Sequence, residues 1–262
     1  MGKMSSAKKR INHTGRKKIL CDAIDIELHS ASMGEPLMAT PRLDLSEMKL
    51  PDDAAVVIEA YYKSSGMRFD CGTVGKLNLP PKIELDQFDP SVSILFRIKV
   101  VDTGQQPGRL VASAERIRPR SDEEEKGRRS IFPIKELDLG HEVWRTDLDQ
   151  DAGPVLKLNY RIPGFKQAIL DNPMMRGLLL PAALRPVLEE IARNPAFDED
   201  DEADWKRDWV TFCRDQLGAD PDDIDRSDDE GKETWIRTAT QKFCQDIGFV
   251  DAIVASVKED VQ

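Results

Sequence analysis

The spacing of apolar residues changes character once along the chain, near residue 160. Before that point it has the two-residue period of half-buried strands. Ile24, Ile26 and Leu28 alternate with Asp25 and Glu27. Met67, Phe69 and Cys71 alternate with Arg68 and Asp70, and Phe96, Ile98 and Val100 with Arg97 and Lys99. Ala55 to Tyr62 is a short apolar run with β-branched and aromatic residues, and residues 109–117, 143–148 and 155–160 are further strand candidates. Turn chemistry separates them at Ser64-Ser65-Gly66, Pro80-Pro81, Asp89-Pro90, Asp102-Thr103-Gly104 and Gly153-Pro154. Short strands joined by turns, with no helical pattern between them, predict an antiparallel β-sandwich or barrel-like domain over residues 18–162. The stretch from Ser121 to Ser130, dense in charge, reads as an exposed loop within it.

After Pro163-Gly164 the period becomes helical. Asn172-Pro173 supplies an N-cap with proline at the first helical position, and Pro181 and Pro186 are expected to divide the next apolar stretch into short or kinked helices. Trp205, Trp209, Phe212 and Cys213 form one stripe that Gly218 can end. Ser227 and Glu230 have capping-box spacing ahead of a second stripe, Trp235, Ala239, Phe243 and Ile247. Gly248 interrupts before a terminal stripe of Phe249, Ile253 and Val257. The expected class is therefore α+β, with a small acidic α-helical region over 163–262.

Charge is unevenly placed. The net charge is −10, yet residues 1–20 hold seven basic groups and no Asp or Glu. From Asp198 onward 20 acidic residues face 8 basic ones. Residues 1–17 have too little apolar content to offset the entropy of ordering and read as a flexible basic arm. Lys8, Lys9, Arg10, Arg16, Lys17 and Lys18 are its candidate contacts, either to nucleic-acid phosphates through counterion release or to an acidic protein. No aromatic residues interleave with them, so base stacking is not indicated. Trp205, Trp209 and Trp235 admit two readings, as helix core or as interface anchors, since tryptophan is enriched at hot spots.

No motif carries catalysis. Asp102-Thr103-Gly104 has the residues of an aspartic-protease triplet, but that chemistry needs two carboxylates sharing a proton, and a hairpin turn explains a single copy. Asp147, Asp149 and Asp151 offer oxygen ligands, but an EF-hand loop would need Gly at Ala152 and Glu at Leu158. The three histidines and the scattered Cys21, Cys71, Cys213 and Cys244 make no zinc pattern, and Gly72-Thr73-Val74-Gly75-Lys76 lacks the spacing of a phosphate loop. No metal or cofactor is expected.

The longest apolar stretch, Leu178 to Leu184, is too short to span a bilayer, and the charged N-terminus lacks the apolar segment of a signal peptide. The expected setting is the cytoplasm, without membrane contact. These features lead to a non-enzymatic accessory or adaptor subunit that binds a larger protein partner, within a nucleic-acid-processing or defence assembly. The competing expectations are a hydrolase built from dispersed carboxylates and a cation- or ligand-binding β module.

Overall fold

A computed structural model describes residues 15–29, 36–121, 130–197, 204–225 and 228–259. The chain is mixed α+β, with curled sheets first and helices from Phe165 onward. It divides into two compact units, Met1–Pro90 with Ile94–Asp122, and Ser91–Ser93 with Glu123–Gln262.

The first unit holds strands β1 (Lys17–Lys18), β2 (Ile24–His29), β3 (Met38–Leu43), β4 (Ala55–Tyr62), β5 (Ser65–Thr73), β6 (Lys76–Leu77), β7 (Ile83–Glu84), β8 (Leu95–Val101), β9 (Leu110–Ile117) and β10 (Arg120–Ser121). They form a six-stranded sheet in the order β1-β9-β8-β4-β5-β6 and a four-stranded sheet in the order β10-β2-β3-β7. The alternation read from the sequence is the register of these sheets. Val56, Ile58 and Ala60 of β4 stand opposite Val100, Ile98 and Phe96 of β8, and all six are buried. Each large side chain in such a row contributes about 1.5–3 kcal/mol. The other face carries Glu59, which accepts hydrogen bonds from Arg97 Nε and from Lys99 Nζ, the latter at 2.9 Å. Pairing is antiparallel except for β1 with β9 and β10 with β2, which run parallel.

In the second unit β11 (Ile134–Leu137), β12 (Trp144–Asp149) and β13 (Gly153–Asn159) make a sheet in the order β11-β13-β12, with β11 and β13 parallel. Helices α1 (Phe165–Asp171), α2 (Pro173–Arg193), α3 (Trp205–Thr211), α4 (Asp229–Ile247) and α5 (Phe249–Glu259) come next. Leu156 and Leu158 of β13 pack with Ile169 of α1 and with Leu179 and Ala183 of α2. Farther along α2, Val187, Leu188 and Ile191 pack with Trp209 and Trp235. Helix α2 thus buries side chains against both the sheet and the later helices.

That two-sided burial explains a departure from expectation. Pro181 and Pro186 lie inside α2, which runs unbroken for 21 residues. Each proline removes one backbone hydrogen bond at a cost of about 3 kcal/mol, and the core contacts of α2 offset it. The Asn172 carboxamide accepts from Met175 N at 3.1 Å, the cap the sequence predicts. Ser227 lies outside the described residues, and α4 is capped instead by Asp228, whose carboxylate accepts from Gly231 N at 2.8 Å. Gly248, at φ 72°, ends α4 in the left-handed region that glycine adopts without strain.

The units part inside the charged stretch from Ser121 to Ser130, whose residues 122–129 lie outside the described set. A break at residue 162 falls within the second unit, because Leu156 and Leu158 share a core with α1 and α2. A fragment of residues 130–262 should therefore melt cooperatively. Residues 163–262 alone would expose that core and should aggregate or stay unfolded, and circular dichroism of the two fragments tests the boundary.

Candidate functional site

The three tryptophans offered by the sequence as interface anchors belong to the core. Trp205, Trp209 and Trp235 are 3%, 2% and 7% exposed. Each indole N–H donates to a backbone carbonyl at 3.1 Å, those of Gln150, Ile131 and Asp220 respectively. Phe132 and Phe212 meet Trp209 edge to face at 5.7 and 5.6 Å. Trp205 lies so close to Gly153 that a Cβ there would stand 2.6 Å from its Cγ. Buried rings with satisfied N–H groups hold the unit together and offer a partner no surface.

Of the basic arm, Lys8, Lys9 and Arg10 lie outside the described residues, and Arg16, Lys17 and Lys18 are exposed. Lys17 and Lys18 form strand β1, paired with Ala112 and Ser113 of β9. The Lys17 ammonium donates to the carbonyls of Met48 at 2.7 Å and Lys49 at 2.9 Å. The stretch expected to be loose through residue 17 is thus fixed to the sheet edge by its last residues, and a truncation through Lys18 would remove a strand.

Asp147, Asp149 and Asp102, weighed for metal or hydrolytic chemistry, are engaged otherwise. Asp147 pairs with Lys157 at 2.7 Å and Arg145 at 3.0 Å, and Asp149 accepts the N–H groups of Asp151 and Ala152. Asp102 accepts from Gly104 N at 2.8 Å and Gln106 N at 2.9 Å, and these bonds hold its carboxyl below the usual range. Gly140 N does the same for Asp138, and Arg214 and Arg185 do so for Asp220 and Glu233. Downward shifts are the direction of turns and ion pairs, whereas a carboxylic general acid is shifted upward. Among the described residues no three His, Cys, Asp or Glu side chains gather to hold a metal ion. Burial pushes the Cys213 thiol up to about 12.

A cleft of about 500 Å³ in the second unit is lined by Asp220, Asp223, Asp228, Glu230, Trp235 and Lys242. Three of its polar groups already serve the fold. Asp220 binds Arg214 at 2.8 Å, Asp228 caps α4, and the Lys242 ammonium donates to the Gly218 carbonyl.

The surface that stands out lies where α5 crosses α2. A Cβ at Gly177 would stand 3.0 Å from Ile253 Cδ1 and 3.4 Å from Phe249 Cβ, so glycine permits the close crossing. Around it Leu178 is 69% and Val250 71% exposed, with Met174, Val254 and Val257 also exposed. Val250, Val254 and Val257 fall at i, i+4 and i+7, one stripe of α5, while Phe249 lies buried beside it. The sequence held the signal, because α5 carries apolar residues around more of its circumference than one packing face uses.

No helix among the described residues is long and apolar enough to cross a membrane. Comparisons with protein-family models, with curated proteins and with solved structures return no match.

Proposed function

We propose that this chain is a non-enzymatic adaptor of the cytoplasm that docks a larger protein at the crossing of α2 and α5, in an assembly that handles nucleic acid or serves defence. The observation that carries the reading is the apolar surface formed by Leu178 of α2 and the Val250, Val254 and Val257 stripe of α5. Isolated exposed leucines and valines are ordinary, but a group ringing one helix crossing is the pattern of a docking site. Charge indicates what fits it. The first unit has 19 Lys and Arg against 16 Asp and Glu, a balance of +3, and the second has 19 against 32, a balance of −13. On α5 itself the exposed charges adjoining the stripe in the chain are Asp251 and Lys258, so the sign of the surface comes from the unit as a whole. The occupant is an amphipathic helix of the partner, apolar on one face and flanked by Lys or Arg.

A photo-crosslinking residue placed in turn at Leu178, Val250 and Val254 in living cells tests this. The same discrete adduct should form from all three positions, and not from Lys166 on α1. Adding Val257→Asp should abolish it while the melting temperature stays within a few degrees, as for most surface substitutions. A diffuse smear common to every position, or an adduct with a second copy of this chain, would sink the reading.

A further inference from the structure

The first unit gathers five exposed cations at one edge of its six-stranded sheet, from three stretches that are remote in sequence. Arg16, Lys17 and Lys18 lead into and form β1, held by its pairing with β9, by Ile19 N donating to Ser113 O at 3.0 Å, and by the buried Ile19 side chain. The Lys17 ammonium binds the Met48 and Lys49 carbonyls and so brings exposed Lys49 alongside. Arg109, at the foot of β9, lies against Gly15, where a Cβ would stand 2.9 Å from its Nη2. Gly15 has φ +66°, so a side chain there would strain the backbone as well as displace the guanidinium. Exposed acidic residues flank these stretches, Asp22 after β1, Asp44 and Glu47 before Lys49, and Asp52 and Asp53 after it. The Asp102 carboxylate accepts from the Gly104 and Gln106 N–H groups and feels the Arg109 charge, and Arg109 Nη1 donates to Gln106 Oε1 at 3.0 Å.

We infer that this edge binds the phosphate backbone of a nucleic acid, with Arg16, Lys18, Lys49 and Arg109 as the contacting residues and Lys17 fixing the strand that presents two of them. The make-up of the patch favours phosphate over an acidic protein. Protein interfaces centre on apolar and aromatic anchors, whereas the neighbouring exposed apolar residue in this stretch is the single aliphatic Leu20. Phosphates are bound by cations alone, and such contacts position a protein without reading sequence. With no aromatic platform among these residues, binding is independent of base identity.

The inference does not rest on the α2/α5 docking site and fails separately from it. Fluorescence anisotropy of the full-length protein with a labelled 20-base-pair DNA duplex, across a salt series, provides the test. Four phosphate contacts give a slope of log affinity against log salt of about −3.6, unchanged for a second, unrelated duplex. The double variant Lys49→Glu/Arg109→Glu leaves the N-terminal residues intact. It should weaken binding at low salt at least tenfold and flatten the slope by about 2, with the melting temperature held within a few degrees. If that variant fails to fold, Lys49→Gln/Arg109→Gln should show the same flattening. Affinity and slope equal to wild type in the folded variant would overturn the assignment, as would absence of duplex binding at low salt. Competition by poly-glutamate as effective, charge for charge, as by duplex would overturn it in favour of an acidic protein.

Discussion

Replacing Trp209 with alanine should destabilise the second unit by about 3–5 kcal/mol, a large fraction of the ~5–15 kcal/mol by which domains are stable. The residue is 2% exposed, its N–H is bonded to Ile131 O, and its ring is gripped edge to face by Phe132 and Phe212. Truncation removes the largest fully buried side chain among the described residues, leaves a cavity between α2 and α3, and strands a carbonyl. Trp209→Phe separates these contributions. It keeps most of the apolar contact and loses the hydrogen bond, so it should cost about 1–3 kcal/mol. The measurement is unusually clean in this chain. Trp144, Trp205, Trp209 and Trp235 all lie in the second unit, so tryptophan fluorescence in a urea titration reports that unit alone. A loss below about 1 kcal/mol for Trp209→Ala would mean that the packing around α3 is not as described.

The range of each interaction decides whether the sequence displays it. Strands β4 and β8 were legible because one face of each is buried and the other carries Glu59, Arg97 and Lys99, so period two is written directly in the residues. The Asn172 cap was legible because capping is local. Strand β3 was not, because Pro41 breaks its pattern. It is tolerated there because β7 pairs only with Met38 and Ala39, which leaves β3 an edge at Pro41. Strands of two residues, such as β1 and β10, contain no period to detect. The tryptophan stripes were visible, but i, i+4 spacing looks the same whether a helix packs on its own chain or on a partner, and only burial decides. The candidate sites were the least legible part. Arg109 comes against Gly15 because β1 pairs with β9 across most of the first unit, and α2 meets Phe249 and Ile253 of α5 at a crossing that Gly177 permits. Neither juxtaposition exists in any local window of sequence.

Lys135 should be a residue whose removal stabilises the protein. Its side chain lies on β11 with its ammonium donating to the Val92 carbonyl at 3.0 Å, and its register partner on β13 is another cation, Lys157. Asp147 binds Lys157 and Arg145, and no carboxylate among the described residues pairs with Lys135. Burial, with Lys157 adding to it, lowers the Lys135 ammonium from 10.5 to about 8. A fall of that size corresponds to about 3 kcal/mol of cost for carrying the charge into the folded state. Below pH 8 both folded and unfolded chains hold the proton and the whole cost is present. Between about 8 and 10.5 the unfolded chain binds more protons than the folded one, so this group makes stability rise with pH across that window. Lys135→Met fills the same space without the charge. After the loss of the Val92 hydrogen bond, it should raise stability at pH 7 by about 1–2 kcal/mol. The gain should shrink as pH approaches 10.5, because wild type sheds its penalty there and the variant has none to shed. Urea titrations of both proteins at pH 7, 8.5 and 10, followed by tryptophan fluorescence under reducing conditions, measure this difference. A variant less stable than wild type at pH 7, with a difference that does not change with pH, would show that the Lys135 ammonium is better solvated than its burial implies.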